Sequence, residues 1–369
     1  MHIGVPRERR ADEYRVGLTP AGIELLTAAG HACSIEHDAG LGAGFSDVDY
    51  ERAGGRIVYS AREAYGRADL VFKIGMLATE EVEWMREGSI LMGFLHLPAA
   101  RRQPVDALLA RRITAIAYET IQQDDGTLPV LVPLSQVAGG MLPQVAGTLL
   151  QNDRGSKGIL LGGVPGVPPA EVAIIGAGTL GTAAARAFLG IGASVYILDR
   201  DLARLHHLDE IFGMARRAVM MVAHPFNVRK VVKFADVVIG AVLVPGARTP
   251  TVVTHEMVRS MKPRSVIIDP AIDQGGSVET SRPTTHRDPT FIEEDVIHYC
   301  VPNMTSVVAR TATHAFNNAA WPFMSEVALC GLDAALERLP ALRRGLATHQ
   351  GAVVNAALAE QLRLTEGLP

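Results

Sequence analysis

The chain has 369 residues, 48% hydrophobic and 20% charged, with a formal net charge of −4. That is enough chain to bury two cores, and so balanced a charge gives no reason to expect nucleic acid or an anionic membrane surface as partner. No apolar run approaches the roughly 20 residues needed to cross a bilayer, and MHIGVPRERR reads as a strand followed by charge rather than a secretory signal, so a cytoplasmic protein is expected. Up to about residue 130, short apolar runs alternate with amphipathic segments: HIGVP, a helix near Pro20–Ala29, ACSIEH, a helix near Ser60–Gly66, LVFKI, SILMGFL and ITAIAYE. Strands alternating with helical patterns predict a parallel α/β sheet. A longer helix is predicted from Ser135, its N-cap, and the Gly- and Pro-rich RGSKGILLGGVPGVPP then forms a boundary loop.

A second α/β unit runs from Glu171 to about Met304, with strands VAIIGA, SVYILD, VVIGAVL, SVIID and IHYCVP. From Thr305 on the pattern is mostly helical and is expected to pack back on the N-terminal unit. The architecture is therefore α/β, two doubly wound domains with the second inserted in the first. Cys33, Cys300 and Cys330 stand far apart in no metal or redox spacing and are expected to be buried thiols.

EVAIIGAGTLGTAAARAFLGIGASVYILDR places Gly176, Gly178 and Gly181 as G-x-G-x-x-G between an apolar strand and a small-residue helix, and a second strand ends on Asp199. This complete unit specifies a dinucleotide site: a tight turn, close backbone approach to pyrophosphate at a helix N-terminus, and a carboxylate for the ribose hydroxyls. Asp199 would repel a 2′-phosphate, which favours NAD; Arg200 beside it could contact one.

Hydride transfer also needs a proton donor and acceptor, and a cation for a substrate carboxylate. Arg15, in EYRVGLTP, can serve as a bidentate carboxylate clamp or as an ion-pair partner of Glu13 or Asp12. His96 closes SILMGFLH at a strand's carboxyl end, where such sheets place their ligands; it suits a general acid/base and equally a structural role. Asp273, in VIIDPAIDQGG, reads as a functional carboxylate or as a loop cap. Lys73, inside DLVFKIGML, stands where a charge needs water or a partner.

These segments resemble the alanine dehydrogenases and the nucleotide-binding alpha part of membrane transhydrogenase. The resemblance covers essentially the whole chain, through GVPRERRADEYRVGLTPAG, FLHLPAA, AIAYET, PLSQVAG, GGVPGVPPAEVAIIGAGTLG, ADVVIGAVLVPGA, AIDQGGSVETSRPTT and the NM of VPNM. It implies two Rossmann-like domains with a cleft between them: a discontinuous substrate domain of residues 1–134 and 305–369 and an NAD-binding domain of residues 135–304. It also implies a homohexamer acting on a small amino acid or 2-keto acid. Carried over by position, Arg15 binds the substrate carboxylate, His96 is the acid/base, and Asp273 orients the attacking water or ammonia. Ser135, Thr179, Leu180, Asp199, Arg204, Val242, Leu243, Asn303 and Met304 join the three glycines in holding NAD. The expected reaction is reversible oxidation of L-alanine to pyruvate and ammonium.

The resemblance breaks at one place. The family's dehydrogenases have a second substrate lysine in a K-x-K-E-P segment; here Lys73-Ile74-Gly75-Met76-Leu77 keeps the first lysine and loses the second. Transhydrogenase subunits lack that lysine too, but also the FLH histidine kept here as His96. A magnesium-binding histidine of some relatives falls at Cys330, so no metal is expected. With Lys73 and Gly75 on one strand face, the lysine leans into the space left at 75 and contacts substrate, or it pairs with a carboxylate and the space admits a bulkier substrate. Alternatives to alanine dehydrogenation are a same-fold oxidoreductase on a different amino acid or an opine-type secondary amine, and a non-catalytic, transhydrogenase-like NAD-binding protein.

Overall fold

The computed structural model describes residues 1–99, 102–214 and 217–366; Ala100, the last residue of FLHLPAA, lies outside them. The chain divides into two units, one of Met1–Leu134, Pro245–Ala247 and Thr305–Pro369, the other of Ser135–Val244 and Arg248–Met304.

In the first unit, β1 (His2–Val5), β2 (Ala32–Glu36), β3 (Arg56–Val58), β4 (Leu70–Phe72), β5 (Ile90–Gly93) and β6 (Thr114–Ala117) lie parallel in the order β3-β2-β1-β4-β5-β6. Every residue of β4, β5 and β6 is buried, as expected of central strands covered on both faces. The helix Pro20–Ala28 starts where its sequence says it should: Thr19 caps it by accepting from the Gly22 amide, and Pro20 takes the first turn, where a missing N–H costs nothing.

The order reverses between β1 and β4, so the loops leaving these two strands diverge above the carboxyl edge of the sheet. β4 ends at Phe72 rather than at Ile74, and Lys73 just past it turns its ammonium onto the carbonyls of Gly75 and Met76, at 3.1 Å each. The C-terminal segment is helical as expected over Ala309–Cys330, but it returns as a hairpin, Leu346–His349 and Ala352–Val353, whose first strand pairs antiparallel with β6. Its Gln350-Gly351 turn has φ of +49° and +86°, the two-residue geometry that matches strand twist.

In the second unit, β7 (Glu171–Ile175), β8 (Ser194–Asp199), β9 (Ala218–Val222), β10 (Val237–Gly240) and β11 (Val266–Ile268) are joined by β12 (Thr290–Glu293) and β13 (Val296–Tyr299), in the order β9-β8-β7-β10-β11-β13-β12. Only β12 is antiparallel, to β13. Both units are thus Rossmann-like α/β sheets with the reversal in the middle.

Two expectations need correction, the N-cap at Ser135 and the burial of all three cysteines. The long helix runs Leu131–Leu149, so Ser135 is inside it rather than capping it; Pro133 does not break it because it sits in the first turn. Cys330 is exposed at the end of its helix, while Cys33 and Cys300 are buried. The segment 154–169 is largely irregular, as expected of a loop, with Val164 and Val167 bridging across Gly166. No helix of the described residues is long and apolar enough to cross a membrane.

Candidate active site

The second unit carries the dinucleotide features at its strand reversal, beside β7 and β10. Gly176 has φ +113°, and a Cβ there would lie 2.3 Å from the Ala241 carbonyl oxygen just past β10; one at Gly181 would lie 1.9 Å from the Gly176 oxygen. Both therefore must be glycine, the first for the turn and the third for close packing of the helix Thr179–Gly190 on the turn. Gly178 differs: it precedes this helix, its φ is an ordinary −72°, and a Cβ would meet nothing within 4 Å. Its open face at a helix N-terminus is where a phosphate can reach the backbone amides of Thr179 and Leu180.

Asp199 ends β8 with its carboxylate nearly buried, accepting from the Ala177 amide at 2.6 Å and the Asp201 amide at 2.9 Å. It ties the glycine turn to the end of β8. Arg204 lies 3.9 Å from Asp199 on an exposed stem, and the Val242 amide packs 3.2 Å from where a Gly176 Cβ would be. Leu243 is exposed and Met304 buried. Asp273 lies in a short turn, and its Oδ2 accepts from the Asn303 amide at 3.0 Å. That turn is folded by Asp269, which takes the amides of Ser277 and Val278 and the Ser281 hydroxyl. Burial pushes the Asp269 carboxyl up.

In the first unit the predicted residues gather on the loops at the carboxyl edge of the sheet. Arg15 follows β1. Its guanidinium is 7% exposed and grips Glu13 with Nε and Nη2, each at 2.6 Å, while Nη1 donates to Thr305 at 2.9 Å. The ion pair with Glu13 left open by the sequence thus exists, and it is buried: the Glu13 carboxylate is 0% exposed. It sets the plane of the guanidinium, as a bidentate pair does.

His96 follows β5 with φ +45°. The Glu119 carboxylate, just past β6, accepts its amide at 2.6 Å and that of Leu95 at 3.2 Å. The imidazole lies near parallel to Phe94, at 6.4 Å between centroids. Its Nδ1 is buried and finds no hydrogen-bond partner among the described residues.

At Lys73 the structure shows the carboxylate pairing that was one of the two readings of this residue. It is fully buried; Nζ donates to Glu8 at 2.9 Å and to the Gly75 and Met76 carbonyls, and Glu81 lies 3.5 Å away. An ammonium has three donors, and all three are engaged here. Lys73 is therefore held as the partner of a carboxylate, one of the two arrangements expected of it. The space beside Gly75 is not simply empty, since a Cβ there would lie 3.0 Å from the Glu8 Oε2. Burial pulls the Lys73 ammonium down, but the two carboxylates more than offset this and hold it above its ordinary value.

Residues 4–138 match the sequence model of "Alanine dehydrogenase/PNT, N-terminal domain", and residues 143–356 that of "Alanine dehydrogenase/PNT, C-terminal domain". The chain belongs to the alanine dehydrogenase/PNT family. It is 46% identical over 98% of its length to the alanine dehydrogenase of Methanococcus maripaludis, covering 96% of that protein, and 45% identical over 98% to that of Mycobacterium tuberculosis, covering 97%. A solved L-alanine dehydrogenase superposes with a TM-score of 0.90 at 42% identity, covering 98% of this chain and 99% of that one. A transhydrogenase from Sinorhizobium meliloti (TM-score 0.78, 24% identity, 97% of this chain and 100% of that one) shares the fold.

Within this family the chain is an oxidoreductase of the amino-acid dehydrogenase type. Sequence reasoning passed over Glu8, Glu81 and Glu119. Only Glu119, in AIAYET, is a lone carboxylate beside an apolar run, the signal that singled out Lys73; Glu8 lies among arginines and Glu81 beside Glu80 and Glu83. The one grouping of metal-ligand type among the described residues is His37, Asp38 and Asp47, partly exposed on the first unit.

Proposed function

We propose that this protein oxidises L-alanine with NAD, releasing pyruvate and ammonium, and catalyses the reverse reductive amination. What supports the reading above all is a glycine turn open to phosphate at Gly178, in a chain that also carries a rigid buried arginine and a histidine with an unpartnered ring nitrogen. Gly176, Gly178, Gly181, Thr179, Leu180, Asp199 and Val242 would hold NAD, with Ser135, Arg204, Leu243, Asn303 and Met304 assigned by family position. Bound NAD supplies the two-electron oxidant for the substrate's Cα–H bond.

The chain's own residues do the rest. Arg15 binds the carboxylate with its guanidinium plane fixed by Glu13. His96 takes the proton that water gives up on adding to the imine carbon, and returns it to the departing nitrogen as the carbinolamine collapses. Asp273 orients that water. By family resemblance the enzyme is homohexameric, and a monomer mass by light scattering would set that assembly aside. NADH oxidation with ammonium and a panel of 2-keto acids tests the activity, and NAD binding without turnover of any of them would overturn it.

Asp199 faces a ribose 2′-phosphate with like charge. NAD is expected to exceed NADP in kcat/KM by roughly a hundredfold, from lost hydrogen bonds and repulsion together. Equal values with both cofactors would remove Asp199 from this role.

The second reading is a larger amino acid or amine donor, and Gly75 is the observation that favours it. A lysine fits the backbone at 75, since φ there is not left-handed, and its Cβ needs Glu8 to give by only a few tenths of an ångström. Gly75→Lys is expected to raise kcat/KM for pyruvate plus ammonium roughly tenfold, the worth of one charge-assisted hydrogen bond. No gain would show that pocket width at 75 does not limit use of pyruvate.

A further inference from the structure

We propose that Glu119 is the positioning residue of His96, acting through the backbone rather than on the ring. The inference rests on reading His96 as the acid/base. A carboxylate that orients a working histidine ordinarily holds its ring N–H. Here His96 Nδ1 has no such partner among the described residues. The carboxylate instead lies beneath the main chain, one oxygen on the His96 amide at 2.6 Å and the other on the Leu95 amide at 3.2 Å.

That clasp fixes the direction in which the imidazole leaves the chain. His96 has φ +45°, a left-handed conformation that a side-chain-bearing residue keeps only when its surroundings hold it there. Two neighbouring strands provide the hold: β5 and β6 pair parallel with Gly93 opposite Ala117, so the residues just beyond them face one another. Glu119 is 4% exposed, and its acceptor oxygens both point at the turn carrying His96. Behind the ring, Phe94 is wedged by Tyr118 at 5.5 Å and Phe316 at 5.6 Å, a fixed aromatic wall that the imidazole lies along. The wall sets one side of the ring and the clasp sets its origin. No other contact of the described residues orients it through Nδ1.

Glu119→Gln removes one of the two acceptor oxygens at nearly constant volume and turns an N–H toward a backbone N–H. The test is a double-mutant cycle on the full-length enzyme with Glu119→Gln, His96→Asn and the pair, reading kcat, KM for alanine and Tm. Glu119→Gln is expected to lower kcat roughly a hundredfold, the effect of misplacing a reacting group by about an ångström, with KM for alanine within about threefold because Arg15 still holds the carboxylate. In the His96→Asn background the same change should alter the residual rate by less than about twofold, since a residue acting only through His96 has nothing left to act through. A loss of equal size in both backgrounds, or wild-type kcat in Glu119→Gln, overturns the proposal. If Glu119→Gln does not fold, Glu119→Asp, which keeps the charge and draws both oxygens back by one methylene, is put through the same cycle with the same criteria. Full activity in His96→Asn alone would overturn the reading of His96 itself; an inactive His96→Asn with additive Glu119 variants overturns only the positioning role.

Discussion

His96→Asn is expected to lower kcat by roughly two to four orders of magnitude, the range that general acid–base catalysis contributes, with NAD affinity and Tm close to wild type. Asparagine is the replacement that isolates the chemistry. It is one of the residues that most readily accepts a left-handed φ, so the backbone at +45° and the amide bond to Glu119 survive. It is polar and of similar size, so the face along Phe94 stays filled. What it lacks is a group that can take a proton near neutral pH and give it back. Rates are measured in both directions, NAD affinity by fluorescence titration and Tm by thermal unfolding. A variant with wild-type turnover would make His96 a structural residue and remove the centre of the proposed mechanism.

The strand–turn–helix–strand–acid unit was fully legible in the sequence because each of its glycines answers a local demand. Gly176 and Gly181 are fixed by contacts to backbone a few residues or one strand away, and such demands leave a spacing that can be read. The carboxyl-edge placement of His96 was legible for a related reason, since an apolar run ending on a polar residue marks the end of a buried strand, and that of Arg15 because it falls between the first strand and the first helix. The partners of these residues were not. Glu119 meets His96 only because β5 and β6 are neighbours, and Glu8 meets Lys73 only because the sheet order reverses between β1 and β4. Strand order is a tertiary fact with no trace in either segment alone. The missed C-terminal hairpin has a different cause: its strands are short, Leu346–His349 and Ala352–Val353, and its turn uses Gln-Gly in place of the Asn-Gly that would have announced it.

Lys73→Met is expected to destabilise the protein by about 3–5 kcal/mol, the cost of removing one partner from a buried ion pair, and to lower Tm by roughly 10 °C. Methionine fills the volume of the stem, so lost packing is small and the charge is what is tested. Without the ammonium, the Glu8 and Glu81 carboxylates, 7% and 1% exposed, are left facing one another with no cation between them. Tyr65 donates to Glu81 at 2.6 Å and the Ile74 amide to Glu8 at 2.6 Å, but neither carries a full charge. The pH dependence follows from Glu8. Burial holds its carboxyl above the ordinary range, against the lowering effect of Lys73. A carboxyl raised in the folded state binds a proton more tightly folded than unfolded, so its contribution favours folding at low pH and is lost as pH rises through the unfolded value toward the folded one. Removing Lys73 raises that carboxyl further, so the deficit of the variant should be largest near pH 8 and shrink toward pH 5. Thermal unfolding of both proteins at the two pH values measures it. An equal deficit at both would show that the lost charge is not the cause. A variant as stable as wild type that binds alanine poorly would return Lys73 to the substrate.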